Sequence, residues 1–432
     1  MKAIESYEAA VKPGSSRAVW VRVVAACAFL VAASAPYWLL VLDTLAGSTS
    51  HFWGMFDFRS FYAAGSLVAE GRGHDLYTLG VLRAEGHATA EPYFNPPFFA
   101  LICAPFSYLS PLDAYRVWTL VSVALLALNC ALIWHIAEPI DRPWRALMIA
   151  GFVTSFPVQH GLMLGQFSQL LCLSWAGAYM ALRAGRPRLA GAALSILLIK
   201  PELVIPVTLF LAWKGQRKTV ETLVSIAAVL VALSIAIIGP VTAIEYPFFI
   251  LRETKFQITW LMLGWNGIVS GAFAGANHAT VTAAGVVLGL LTCSAVAFAW
   301  RRWRFDARDP RFASMWLALT IATLLVDMHL YVQDTVILMP ALAAYAATSA
   351  KDIRSIAALL MPVLWVVLWY PSYPDHVLSM SVVFGSVLLS ALAMMLIAHA
   401  ATRRSAYQPA FADAPGFGLR RLAPPAAAEE AA

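Results

Sequence analysis

Residues 23–42 read VVAACAFLVAASAPYWLLVL, twenty positions without a charged side chain. A helix rises about 1.5 Å per residue, so this run covers the roughly 30 Å hydrocarbon core of a bilayer. It also resembles a secretory leader, with basic residues before it and Ala33-Ser34-Ala35 as a cleavage-like triplet. Pro36 would then be the first mature residue, and apolar sequence continues to Leu42, so the run reads as a first transmembrane helix.

The rest of the chain agrees with that start. Of 432 residues, 60% are hydrophobic and only 12% charged, with a mean hydropathy of +0.71. Soluble chains carry about 25% charged residues, so too few polar side chains remain to cover a watery surface. The net charge of +6 does not point to nucleic acid. The basic residues fall in short clusters between apolar runs, such as Arg301-Arg302-Trp303-Arg304, whereas nucleic acid needs a continuous basic face. The five cysteines all lie within apolar runs without metal or disulfide spacing.

Long apolar segments fall near 19–42, 115–137, 162–182, 219–239, 281–300 and 377–399. Shorter or broken ones lie near 97–109, 144–158, 188–213, 312–327, 330–348 and 354–371. The expected fold is an all-α polytopic membrane protein of roughly ten to twelve spans. Residues 1–400 form one integral-membrane domain, and the Ala- and Pro-rich 401–432 reads as a disordered cytoplasmic tail.

Loop charges orient the spans. Lys2, Lys12 and Arg17 keep the N-terminus cytoplasmic, and the basic loops at 183–188, 214–218 and 301–311 follow it by the positive-inside rule. Residues 43–96 carry six acids against three arginines, which suits an outer, periplasmic loop. Segment 188–213 is basic at both ends, so it cannot be one span. Pro201 removes a helix hydrogen bond and biases Lys200 away from helix, giving a hairpin of two short helices with Lys200 at its outer turn. By the same parity, either 97–109 or 144–158 fails to cross, and charge alone leaves that choice open.

Asp57, Gln166, Lys200, His329 and Asp334 then all fall near the outer face. Asp57 precedes an amphipathic pattern over 58–70, which reads as an interfacial helix. The carboxylate is either that helix's N-cap or a general base held at the membrane surface. Asn95, before Pro96-Pro97, caps the next helix or binds a sugar hydroxyl, and Gln166 likewise caps or donates to a sugar or phosphate. Lys200 is flanked by mostly apolar sequence, where a central charge costs about 2.5–3.5 kcal/mol. Its anionic partner is a substrate or an internal acid such as Glu202. The stretch from Asp327 to Asp334 (DMHLYVQD) is a polar break in an apolar run, and no second histidine or acid cluster there has coordinating spacing for a metal.

At these residues the chain resembles the membrane glycosyltransferases of family 87, which adopt the GT-C fold and use polyprenyl-phosphate mannose. The resemblance covers roughly residues 50–350. It rests on Asp57 to Tyr62, Gly71 to Tyr77, Tyr93-Phe94-Asn95-Pro96-Pro97-Phe98, Gly165-Gln166, Lys200-Pro201 and His329 to Asp334. It implies that Asp57 is the catalytic base, that Lys200 lies near the donor phosphate and that His329 is a site histidine. Arg59, Gln166, Asn95 and Asp334 join them as candidate donor or substrate contacts. The implied partners are a polyprenyl-phosphate sugar, a glycan or glycolipid acceptor and membrane lipid, without cofactor or metal. Transport of a lipid-linked or polar solute is the rival reading, because intramembrane charges and broken helices also suit it. No inverted halves are detectable, and the polar residues gather at one face away from the midplane.

The charge pattern predicts sidedness. In single-cysteine variants, an impermeant thiol reagent applied to intact cells should modify His87→Cys and leave Asp306→Cys untouched. The reverse pattern would contradict the topology.

Overall fold

The computed structural model describes residues 16–47, 54–85, 92–253, 261–273, 275–348 and, further on, 386–392 with 395. Of these, 82% are helical and none forms a strand. That is the expected response of an apolar chain to lipid, where every backbone N–H and C=O must find its partner within the segment. The segment expected near 354–371, most of that near 377–399 and the tail lie outside the described residues.

Five helical stretches are long and apolar enough to cross a bilayer: Arg17–Leu45, Pro111–Ile136, Arg142–Leu164, Arg217–Ile250 and His278–Trp300. Their outward sides stay apolar. Leu120, Val229 and Leu290 keep 69%, 66% and 65% of their surface exposed, which suits contact with acyl chains and not water. The protein is a membrane protein.

Helix α1 is Ser16–Leu45, and α2 (Phe56–Ala69) and α3 (Leu79–Glu85) follow in the first loop. α4 (Pro97–Cys103) continues into a 3₁₀ turn, Ala104–Tyr108. At twelve residues this pair reaches roughly 18 Å, too short to cross. It packs on α2 so closely that a Cβ on Gly65 would lie 2.6 Å from the Cys103 carbonyl oxygen. Tyr62 also donates its hydroxyl to the Leu109 carbonyl at 2.9 Å. Of the two segments that parity left open, 97–109 is too short to cross, whereas 144–158 falls within Arg142–Leu164, which is long and apolar enough to do so.

α5 (Pro111–Ile136) starts on a Ser110 cap that accepts from the Asp113 N–H. α6 (Arg142–Val153) and α7 (Phe156–Leu164) form one traverse interrupted at Thr154 and Ser155. The expected span at 162–182 begins later, because α7 ends at Gly165 and α8 (Ser168–Arg183) starts beyond it. The hairpin at 188–213 forms as read: α9 (Pro187–Ser195), a 3₁₀ turn (Ile196–Ile199), extended Lys200, and α10 (Pro201–Trp213). Pro201 sits in the first turn, where its missing N–H has no helical partner to lose.

α11 (Arg217–Glu253) breaks at Gly239, whose φ of 80° and ψ of 161° no helix contains. The sequence pattern ended its span at that residue, but the chain resumes helix and returns toward the first loop, where Tyr246 donates to the Phe94 carbonyl. α12 (Trp265–Ala272), α13 (His278–Trp300), α14 (Arg311–Val326), a 3₁₀ turn (Val332–Ile337) and α15 (Leu338–Thr348) complete the described bundle. α14 is its buried spine. Trp316 packs on Trp175 at 5.0 Å, and Trp175 donates to Thr320 Oγ1 at 2.8 Å.

The basic connections gather at one end. Lys214 donates to the carbonyls of Trp300 and Trp303, and Gly185 lies beside the Arg308 guanidinium. The opposite end holds Leu45, Met163, Lys200 and residues 327–334.

At that end Gly165 has φ 75°, and a Cβ there would meet the Phe58 Cβ at 2.5 Å. A left-handed conformation costs a non-glycine residue about 1–2 kcal/mol before any clash. Gly165→Ala should therefore lower the unfolding midpoint of the purified protein by at least that equivalent. An unchanged midpoint would show that α2 and the α7–α8 turn do not pack as described.

Candidate active site

Two polar clusters form at this end. The first begins at Met55, which adopts φ 59° and donates its N–H to the Met163 carbonyl at 3.0 Å. α2 starts one residue later, so Asp57 lies in the first helical turn and Met55 occupies the N-cap. The cap reading of Asp57 is thereby corrected. The carboxylate still benefits from the positive end of the helix dipole. α2 is also more deeply set than a helix lying on a membrane surface. Phe58 and Phe61 are 1% and 4% exposed, and their rings pack against Tyr115, Trp118, Phe99 and Phe167. Asp57 thus projects from a wedged helix.

Gln166 completes this cluster. Its side-chain Nε2 donates to Asp57 Oδ2 at 2.8 Å. Gly165 in the left-handed region ends α7, and the Gln166 N–H bonds back to the Gly161 carbonyl at 2.8 Å. Gln166 therefore caps nothing with its side chain; Phe167 is the N-cap of α8. The sequence singled out both residues but not their pairing.

The second cluster surrounds Lys200, whose side chain is only 10% exposed. Its Nζ lies 2.9 Å from Asp327 Oδ2, donates to Asp334 Oδ2 at 2.5 Å and donates to the His329 carbonyl at 2.9 Å. Of the two partners left open by the sequence, the internal acids are the ones in contact. They are Asp327 and Asp334, while Glu202 faces His329, its Oε1 3.6 Å from Nδ1. The same carboxylates also shape the backbone. Asp327 Oδ1 accepts from the His329 N–H at 2.8 Å, and Asp334 Oδ2 accepts from the Tyr331 N–H at 3.2 Å.

Neighbouring elements hold both strands of this knot. Asn95 does not cap α4, whose N-cap is Pro96. Its Nδ2 donates to the Ile199 carbonyl at 3.1 Å, pinning the residue before Lys200, and Tyr77 donates to the Asn95 carbonyl. Buried Asn266 donates to the Met328 carbonyl at 3.1 Å, and the Leu263 N–H donates to the Leu330 carbonyl at 2.8 Å. Leu263 and Asn266, which no motif of the sequence marked, thus support residues 328–330. The available signal was a lone asparagine in an apolar stretch.

The clusters meet through α7, where Gly161 lies against Gln333 and Ser168. His160 stays apart as a packing residue, its ring 4.9 Å from that of Phe156. Arg59 is half-buried on α2, two residues beyond Asp57. Buried polar atoms normally find partners, yet His329 Nε2 and Gln333 Oε1 have none. Among the described residues no group of His, Cys, Asp and Glu is arranged to hold a metal ion.

The bundle thus gathers a carboxylate–amide pair and a buried charge cluster at one end. The sequence profile of glycosyltransferase family 87 matches residues 93–327, more than half of the chain, and the chain belongs to that family. It is accordingly a membrane glycosyltransferase, taking a sugar donor and an acceptor at the membrane. The matched region contains Asn95, Gln166, Lys200, Glu202 and Asp327; Asp57, Arg59, His329 and Asp334 lie outside it. No curated protein and no solved structure matches the chain.

Removing one partner of a buried ion cluster leaves uncompensated charge, at about 3–5 kcal/mol. Lys200→Ala, which leaves Asp327 and Asp334 facing each other, should reduce accumulation in the membrane and lower the unfolding midpoint. Lys200→Ala with Asp334→Asn should recover part of the loss. Equal stability of wild type and single variant would contradict the clamp.

Proposed function

We propose that the protein transfers a hexose, mannose, from a polyprenyl-phosphate donor to a glycan or glycolipid acceptor at the periplasmic face of a bacterial inner membrane. The GT-C arrangement, with both termini cytoplasmic, goes with this reading. The observation that carries it is Asp57 held by Gln166 beside a buried charge cluster, in a chain of this family.

The chemistry needs few groups. A polyprenyl phosphate is already a good leaving group, so no strong general acid is required, in contrast to the carboxylate pair of a glycosidase. The acceptor oxygen attacks the anomeric carbon as the bond from that carbon to the phosphate oxygen breaks. The acceptor proton passes to Asp57, and the electron pair leaves on the polyprenyl phosphate. Direct displacement inverts the anomeric configuration.

Gln166 fixes the orientation of the Asp57 carboxylate toward the acceptor hydroxyl by donating to Oδ2. His329 and Arg59 are assigned to the donor phosphate, whose growing charge needs fixed donors. Lys200 serves that surface from behind, through the His329 carbonyl that it holds. Asn95 and Asp334 act likewise, by fixing the turn before Lys200 and the loop after His329. Transport is disfavoured because the buried ion cluster of Lys200, Asp327 and Asp334 lies at one end of the bundle and not at its middle.

Asp57→Asn keeps the shape of the side chain and removes the base. General-base catalysis contributes about 10²–10⁴-fold, so turnover of purified enzyme on donor and acceptor should fall at least about a hundredfold with donor binding retained. Turnover near that of wild type would show that the base lies elsewhere.

A further inference from the structure

His329 is held by hydrogen bonds at its N–H and carbonyl, and a carboxylate faces a third polar point, Nδ1. Its N–H is bound by Asp327, its carbonyl by Lys200, and its Nδ1 faces Glu202 across 3.6 Å. The fourth point, Nε2, is buried and has no partner in the protein. Every charged group of the cluster therefore acts on the placement of this one nitrogen, directly or through another. Lys200 is fixed by Asp327 and Asp334, and Glu202 by its place in the first turn of α10, two residues beyond Lys200.

Which ring nitrogen carries a proton depends on what the other one faces. A carboxylate at Nδ1 favours a proton there and leaves Nε2 to the ligand. In the imidazolium form both nitrogens can donate, so Nδ1 faces the Glu202 carboxylate while Nε2 can donate to an anionic oxygen. Carboxylates placed behind working histidines orient the ring in the same way at metal sites and in hydrolases.

We infer that Glu202 is a positioning residue, which sets the ring of His329 so that Nε2 meets a phosphate oxygen of the lipid-linked donor. The inference rests on the proposed function for the identity of the ligand, but the Glu202–His329 pairing stands on geometry alone. Glu202 acts through the imidazole, so it differs from Asp57, which meets the acceptor. Lys200, with Asp327 and Asp334, forms a frame for the loop that carries His329.

The full-length protein in lipid nanodiscs, labelled with ¹⁵N-histidine, provides the test. The signals of His329 are those missing from His329→Gln, and the probe is polyprenyl monophosphate, with inorganic phosphate as a comparison. The expected wild-type spectrum has a protonated Nδ1, and the lipid phosphate shifts Nε2 much more than Nδ1. Glu202→Gln should move the Nδ1 signal without ligand and weaken polyprenyl phosphate binding at least about tenfold, while Glu202→Asp recovers part of both. An Nδ1 without a proton, or one indifferent to Glu202→Gln, overturns the positioning role. Equal binding by wild type and Glu202→Gln overturns it as well. If the ligand moves neither nitrogen, the inference fails at the donor phosphate; the ligand-free spectra still decide the pairing. An Nε2 that answers inorganic phosphate but not the lipid contradicts the lipid-linked ligand and leaves Glu202 in place.

Discussion

The contact on which the site end depends is the Lys200 ammonium between Asp327 and Asp334. It joins the turn of one helical hairpin to a loop more than a hundred residues later, in surroundings where an unpaired ammonium or carboxylate would be expelled. A buried ion pair is a poor source of net stability, since desolvation offsets most of the attraction. Its value here is specificity of register. A hydrophobic contact would let α10 slide or rotate against residues 327–334, whereas a lysine with two carboxylates and a carbonyl has one arrangement that satisfies it. The prolines contribute by making the turn at Lys200 obligatory, and Asn95 and Asn266 tie its backbone neighbours to the first loop and to α12.

The same logic separates the two clusters by role. The Asp57–Gln166 pair sits on a helix set in aromatic rings, with a half-buried carboxylate. The Lys200 cluster is nearly sealed, and its only unpartnered imidazole atom is His329 Nε2. In the proposed reaction one group exchanges a proton and the other holds a fixed field. The proposed lipid-phosphate leaving group goes with that division, because its departing charge is to be met without a water-filled cavity.

Composition and charge made the class legible, since no soluble fold tolerates so few polar residues. The hairpin at 188–213 was legible too, because two basic ends and a central Lys-Pro admit no single span. What the sequence could not convey was pairing at a distance. Gln166 and Asp57 are 109 positions apart, and Lys200 and Asp334 134 apart, so neither contact leaves a local pattern. The choice between 97–109 and 144–158 was hidden because hydropathy measures apolarity and not where a segment packs. Asp57 looked like a cap because the left-handed turn at Met55 has no signature when the residue is neither glycine nor asparagine.

The proposed reaction moves a sugar from a lipid phosphate at the charged end of this bundle. It is tested most directly by incubating membranes that contain or lack the protein with polyprenyl-phosphate mannose radiolabelled in the sugar. Label should leave the donor and appear in a more polar product only where the protein is present. Label that remains entirely in the donor, in membranes that hold the protein and its natural acceptors, would contradict it.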